Sequence, residues 1–460
     1  LLTEQQVNQS LATRFFTLEY QLDLLVHQAT KPIVALLNGY TMGGGIGIMA
    51  GASHRIATSN TVLSMPEISI GLYPDVGASW FLNQMPAGVG LFLGLTAAGI
   101  RIKGKLEDGK IVGRYKQGGF AAPIEFSSQV QANVRKAKPQ DPNPMPDYRV
   151  SDVTFENTHA GHNLAGTLTI PKTHAKHTVI ILSGSGATTR DGDMLGHKVY
   201  AVLADQLTKQ GVALLRFDDR GVGESGGNHA IATSADFATD ANAALQYLRQ
   251  HDELKHTKIG FIGHSEGGLI AAIAQTLPTS PKADFFVSLA GPGTSGEQIL
   301  VDQSTIMQEL HQVPSPAKEH NIQLQKDTMA AVARGASKTE LTSIMMKAGL
   351  PRERAEKEAA GLSSPWAQFF IQTNVQDYLK QMQIPVLALN GAKDVQVIAK
   401  PNIDGIKKAV DEKWLTFKIY PELNHLFQPA MTGLPEEYGQ IETTISPDVA
   451  KDIRNWLAKL

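Results

Sequence analysis

Ser265, in Gly263-His264-Ser265-Glu266-Gly267, is the residue best placed to do chemistry. It directly follows the apolar run Ile259-Gly260-Phe261-Ile262 and precedes Gly268 to Gln275, a good helix former. A strand that turns at once into a helix crowds its own backbone. The flanking positions then need glycine, and the serine is pushed out above the sheet as a nucleophile. The helix points its positive end at that hydroxyl, and its first N–H, on Glu266, is an oxyanion donor. Gly223-Glu224-Ser225-Gly226-Gly227 fits the same spacing. Ser225, however, follows Asp218-Asp219-Arg220-Gly221-Val222 and leads into a polar stretch, so it reads as a loop residue.

A serine nucleophile on such a turn needs an acid and then a histidine further along the chain. Asp394 ends Asn390-Gly391-Ala392-Lys393-Asp394, just after the apolar strand Pro385 to Asn390, where a sheet holds an acid at a strand's C-terminal end. Its rivals Asp404 and Asp411 fall in helix-like stretches. Of 14 histidines, His425 alone lies beyond Asp394, directly after the strand Leu415 to Tyr420. The second oxyanion donor is expected in the turn Leu182-Ser183-Gly184-Ser185-Gly186, from Ser185 or Gly186, with Ser185 preferred.

The elements that must position these groups follow from Val150 onward. Val153 to Glu156 and Leu164 to Ile170 read as paired strands, and Thr178 to Leu182 as a strand covered on both faces. Helices at Ala201 to Gln210, Ala235 to His251, Gly268 to Gln275 and Asp448 to Leu460 alternate with strands at Val212 to Phe217, Ile259 to Ile262, Asp284 to Leu289, Pro385 to Asn390 and Leu415 to Tyr420. That alternation predicts an α/β fold with a doubly wound, mostly parallel sheet. Residues 294–382 are polar and helical and read as a helical cap over the strand ends. Four prolines in Lys136 to Asp147 mark a linker. The turn-rich stretch Arg101 to Phe120 holds a short strand, Ile111 to Tyr115, in a hairpin. The reading is therefore a first unit over 1–100, a short β segment and linker over 101–147, and the main domain over 148–460.

Composition narrows the chemistry. The 460 residues are 42% hydrophobic and 19% charged with a net charge of −2, so no basic stripe suits a nucleic-acid partner. There are no cysteines, which excludes disulfides, thiolate metal sites and a cysteine nucleophile. His159 with His162 and His174 with His177 lack an acidic partner pattern and read as solvated loop histidines, so no metal or organic cofactor is implied. No apolar run approaches a membrane span. The first residues, which begin on Leu1, lack a signal-peptide pattern, so the expectation is a cytoplasmic protein whose start lies upstream.

Together, Ser183 to Gly186, Arg216 to Ser225, Gly263 to Gly268, Asn390 to Asp394 and Leu423 to Phe427 make residues 150–460 resemble the α/β-hydrolase superfamily. The nearest likeness is to bacterial serine esterases of the serine-aminopeptidase-like group with a helical cap. The resemblance implies hydrolysis of a small-molecule carboxylic ester, short to medium in its acyl chain, through an acyl-enzyme. Its implied triad is Ser265, His425 and Asp394. An aminopeptidase with the same triad is the alternative, which an amine-binding acid in the cap would favour; Glu297, Glu309 and Glu319 do not stand out. Gly104 to Phe126 resembles the tail of a small β-rich domain that precedes some of these esterases.

A second chemistry is written at the other end. Lys31 to Tyr40 leads into Thr41-Met42-Gly43-Gly44-Gly45-Ile46-Gly47, a strand feeding a glycine turn and a helix, which suits an oxyanion. Glu67 in Met65-Pro66-Glu67 and Asp75 in Gly71 to Gly77 add two carboxylates for acid–base work. Residues 10–100 resemble the crotonase superfamily, closest to 3-hydroxyisobutyryl-CoA hydrolases. That implies Glu67 and Asp75 as the acid/base pair and Gly44 as an oxyanion donor. The upstream glycine-rich motif and the closing helices of a crotonase are missing. The stretch thus reads as a fragment fused to the hydrolase: a CoA-thioester hydrolase if live, a packing or homo-oligomerisation module if not.

Overall fold

Turn residues cut the chain into short strands and helices, which gather into two units, Leu1–Arg135 and Lys136–Leu460. The computed structural model describes residues 9–42, 44–58, 60–64, 101–107, 110–117, 120–127, 137–278 and 281–460.

In the first unit, helix α1 (Gln9–Gln28) precedes β1 (Val34–Leu37), β2 (Tyr40–Met42), α2 (Gly44–Gly51), β3 (His54–Ala57) and β4 (Val62–Ser64). β1 pairs in parallel with β3, and β2 with β4. In place of one strand, a glycine turn and a helix over residues 31–51, two short strands, β1 and β2, precede α2, which already contains Gly44 and Gly45; Gly43 lies outside the described residues. In place of one hairpin, β5 (Arg101–Glu107), β6 (Lys110–Gln117) and β7 (Phe120–Ser127) form a three-stranded antiparallel sheet. The strand expected over Ile111 to Tyr115 is the middle of β6. Its alternation is interrupted by Gly113 and charged residues, which hides its length.

The second unit is built on one sheet. β8 (Arg149–Asn157) and β9 (His162–Ile170) form an antiparallel pair. β10 (His177–Leu182), the short β11 (Asp193–Met194) and β12 (His197–Lys198), and helix α3 (Val199–Lys209) follow. Then come β13 (Ala213–Phe217), α4 (Ser234–Gln250), β14 (Lys258–His264), α5 (Glu266–Thr276) and β15 (Phe286–Leu289). Helices α6 (Gly296–Leu310), α7 (Ser315–Ala333), α8 (Lys338–Lys347), α9 (Arg352–Leu362), α10 (Pro365–Gln372) and α11 (Gln376–Leu379) fill the polar stretch before β16 (Val386–Gly391). Serines 295, 337 and 364 cap α6, α8 and α10 by accepting backbone N–H bonds, which starts these helices where no apolar periodicity would. Helix α12 (Ala399–Ala409), β17 (Leu415–Tyr420), α13 (Pro435–Tyr438) and α14 (Pro447–Leu457) close the chain.

The sheet order is β17-β16-β15-β14-β10-β13-β9-β8, parallel throughout except at β9 and β8. β10 lies between β13 and β14, and its apolar run is buried on both faces. Val179 and Ile181 join one core layer with Leu203, Ile453 and Trp456. Ile180 and Leu182 join the other with Leu245, Leu269 and Ile406. The two-residue period of a strand makes this division unavoidable, and helices must cover both sides. Strand order reverses around β10, which puts the topological switch point, the usual place of a binding crevice in such sheets, at the C-terminal ends of β10 and β14.

Two local readings change. The proline-rich stretch is anchored to the second unit: Lys138 Nζ donates to the Ile441 carbonyl at 2.8 Å, and Gln140 Nε2 donates to the Ile445 carbonyl at 2.9 Å. That unit accordingly begins at Lys136, ahead of residue 148. The histidine pairs are not all solvated either. His162 opens β9 and meets Asp240 at 3.2 Å. His177 opens β10 edge-on to Phe285, and burial pushes its imidazole below the usual range.

Candidate active site

Where β14 gives way to α5, the backbone has no room for side chains. A Cβ on Gly263 would strike the Gly267 carbonyl, and one on Gly267 the Leu182 carbonyl. Between them Ser265 takes φ 54° and ψ −124°, a strained conformation for a non-glycine residue. Its N–H donates to Leu289 at 2.9 Å, and its carbonyl accepts from Gly268 at 2.9 Å. The neighbouring strand β15 and the first turn of α5 thus hold it in place. Ser225 is built differently: buried, it donates to the Asp218 carbonyl at 2.7 Å and accepts from the Ala165 N–H at 2.9 Å. It ties its loop to β9.

Asp394 and His425 converge from the ends of β16 and β17. Asp394 is buried, and its Oδ1 accepts the N–H groups of Gln396 at 2.8 Å and Val397 at 2.9 Å. Its Oδ2 lies 2.8 Å from His425 Nδ1. A carboxylate oxygen accepts, so Nδ1 carries the proton and Nε2 is left with the lone pair a general base requires. No hydrogen bond joins Ser265 Oγ to His425, as is common before substrate draws such a pair together. Asp404 pairs with Lys400 within α12, and Asp411 bonds the Lys413 N–H; neither takes part.

The oxyanion donors lie on two turns. Glu266 opens α5, and Ser185 lies exposed just beyond β10; neither N–H makes a hydrogen bond. Gly184 packs against the serine, since a Cβ there would come within 3.1 Å of Ser265 Cβ.

Several contributing residues escaped the sequence reading. Asn424, fully buried, shapes the His425 turn by accepting the Leu426 and Gln428 N–H groups at 3.0 and 2.9 Å. Asp219 accepts from Ser183 Oγ at 2.5 Å and the Thr188 N–H at 2.9 Å, clamping both ends of the loop that carries Ser185. Burial pushes the Asp219 carboxyl up to about 7. The Glu266 side chain is buried and accepts from Ser234 Oγ at 2.6 Å and, through both oxygens, from Trp366 Nε1 at 2.9 Å. Trp366 lies on α10, so the helical insertion reaches the first turn after Ser265. The Asp218-Asp219 pair and the buried polar neighbours of the elbow were visible as residue types, but their partners lie tens of residues away.

In the first unit, Gly44 opens α2, and a Cβ there would collide with Glu19 Oε1. The Glu19 carboxylate thus lies against the positive end of that helix. Glu67 and Asp75 lie outside the described residues. Among the described residues no cluster of three or more His, Asp or Glu is disposed to hold a metal ion, and no helix is long and apolar enough to cross a membrane.

A family model described as serine aminopeptidase, S33, matches residues 173–428, more than half of the chain. A model described as enoyl-CoA hydratase/isomerase matches residues 1–109. The mitochondrial 3-hydroxyisobutyryl-CoA hydrolase of Xenopus tropicalis is 48% identical over 94 residues, 20% of this chain and 24% of that protein. The small ribosomal subunit protein mS47 of Neurospora crassa is 56% identical over 84 residues, 18% of this chain and 16% of that protein. The chain thus spans about a quarter or less of the curated relatives it matches. Among solved structures, an esterase of Pyrococcus furiosus is similar over 61% of this chain and 88% of its own, with 16% identity and a TM-score of 0.40. An esterase of Exiguobacterium antarcticum covers 67% and 100%, with 14% identity and a TM-score of 0.40.

Proposed function

The chain belongs to the serine aminopeptidase S33 family and is a serine hydrolase, and on that premise we propose that it is a carboxylesterase acting on short- to medium-chain acyl esters. The observation that carries this reading is the buried Asp394–His425 pair, 2.8 Å apart, which follows the C-terminal ends of β16 and β17 as the strained Ser265 turn follows that of the parallel strand β14. In this mechanism His425 Nε2 takes the Ser265 proton as Oγ attacks the ester carbonyl. Asp394 keeps the ring in its Nδ1–H tautomer and stabilises the imidazolium. The N–H groups of Glu266 and Ser185 hold the oxyanion. Protonated His425 then gives its proton to the leaving alcohol, and water, activated by the same histidine, releases the acid.

An aminopeptidase needs a carboxylate free to grip the substrate's ammonium group. Glu266, next to Ser265, is engaged by Trp366 and Ser234, and Glu309 and Glu319 are exposed; Glu297, half-buried in the first turn of α6, is the cap acid left for that reading. The likeness of residues 1–109 to the enoyl-CoA hydratase/isomerase family supports a second reading, hydrolysis of a CoA thioester by Glu67 and Asp75. In that reading the Glu19 carboxylate beside Gly44 would have to swing away from the first turn of α2.

The test is hydrolysis of p-nitrophenyl esters of increasing acyl length by the intact chain and by Ser265→Ala. The variant is expected to lose roughly 10⁴-fold or more in kcat. Undiminished activity would remove Ser265 from the mechanism and turn attention to 3-hydroxyisobutyryl-CoA and Glu67→Gln.

A further inference from the structure

Behind Ser265 runs a buried chain of hydrogen bonds. The Gly184 N–H lies 3.1 Å from Tyr200 Oη, which lies 3.2 Å from His264 Nδ1. His264 Nε2 lies 3.0 Å from the His425 carbonyl. Tyr200 and His264 are 3% and 4% exposed, so water has no ready access to the bonds between Tyr200, His264 and His425. The two ends fix the direction of every bond. A backbone N–H can only donate and a backbone carbonyl can only accept. Tyr200 Oη therefore accepts from Gly184 and spends its own proton on His264 Nδ1. His264 then carries its proton on Nε2 and donates it to His425. The imidazole must be neutral for this to work. Burial and the neighbouring His425 ring, 4.9 Å away between centroids, hold it so, pushing its pKa down to about 3.

The chain joins the three pieces that must keep register. Gly184 belongs to the loop that carries Ser185, His264 is the residue before the elbow serine, and His425 lies in the turn that follows β17. Resting on the esterase reading above, we propose that Tyr200 and His264 are positioning residues that set the spacing of the oxyanion loop and His425 about Ser265. Each bond alone is modest. Removing a link, however, leaves buried groups unpaired on both sides, and a fraction of an ångström at the reacting atoms is costly to the rate.

The experiment compares Tyr200→Phe, His264→Ala and His264→Gln with the parent chain. It measures p-nitrophenyl ester kinetics, the rate of Ser265 labelling by a fluorophosphonate, and the thermal transition. Tyr200→Phe is expected to lower kcat roughly ten- to hundredfold with KM within about twofold, and to slow labelling by the same factor. Glutamine carries an acceptor and a donor on one amide and preserves the polarity of the link. His264→Gln should therefore recover at least about tenfold of the kcat lost in His264→Ala. A folded Tyr200→Phe with kcat within twofold of the parent, or a loss confined to KM, overturns the proposal. So does a His264→Gln no better than His264→Ala, the comparison that decides if Tyr200→Phe unfolds. Because Ser265→Ala is assayed alongside, its retained activity would instead overturn the esterase reading, while its loss beside a fully active Tyr200→Phe would sink this proposal alone.

Discussion

Asp219 illustrates how a single burial sets a pH dependence. Desolvation raises its carboxyl to about 7, against an ordinary value of about 3.9. Between those values the folded chain keeps a proton that the unfolded chain has released. The stability this contributes is fully present below about pH 4 and is lost as pH rises through about 7. Asn at this position is uncharged at every pH: its oxygen accepts from Thr188, and its NH₂ faces Ser183, whose hydroxyl turns from donor to acceptor. Asp219→Asn should therefore flatten the decline in unfolding free energy between pH 5 and pH 8, measured by denaturant titration; an unchanged slope would reassign the titration. Asp394 acts on the rate. Asp394→Asn keeps the shape but presents an amide to His425 Nδ1, favouring the wrong tautomer. A loss of about four orders of magnitude in kcat is expected, with an unchanged far-ultraviolet spectrum. Of these residues Ser265, Asp394 and His425 were legible, because each stands at a strand end and the elbow glycines leave a pattern. Asp219, Tyr200 and His264 were not, because a buried polar residue is recognised by its partners, and those lie far away in sequence.

At the scale of elements, alternation of apolar runs and helical stretches located the strands and helices of the main sheet. The ends shifted by a few residues, as at β14, which continues through Gly263 to His264. Sequence order could not give sheet order: β10 lies between β13 and β14, a choice made by packing helices on both faces. The insertion before β16 was legible as helical, and the bond from Trp366 on α10 to Glu266 on α5 was not. Trp366→Phe removes the indole donor and leaves a buried carboxylate with Ser234 as its remaining side-chain donor. The expected cost is about 1–3 kcal/mol, read as earlier proteolytic cleavage within residues 296–379 and a lowered thermal transition. Unchanged protease resistance would show that α10 is held by its apolar contacts alone.

For the whole molecule, Lys136–Leu460 contains both core layers and every residue of the proposed triad. A chain of residues 136–460 is therefore expected to hydrolyse esters with kcat within about twofold of the full chain. The first unit exposes Val34 (58%), Leu36 (69%), Tyr40 (73%) and Ile56 (51%) along its short strands, an unusual amount of apolar surface for such small sheets. Light scattering should accordingly find the full chain self-associated and residues 136–460 smaller than proportion. A monomeric full chain would dismiss the first unit as an assembly module.

The sequence by itself determined the strands and flanking helices of the main sheet, the two family likenesses and the order serine, acid, histidine, because glycine turns, apolar periodicity and chain order are local properties. Tertiary structure alone decided that Asp394 Oδ2 meets His425 Nδ1, that Glu19 crowds Gly44, and that Gly184, Tyr200, His264 and His425 share one directed chain of hydrogen bonds. Those facts depend on which distant backbone groups folding buries together, and a buried donor or acceptor must find its partner wherever the packing brings one.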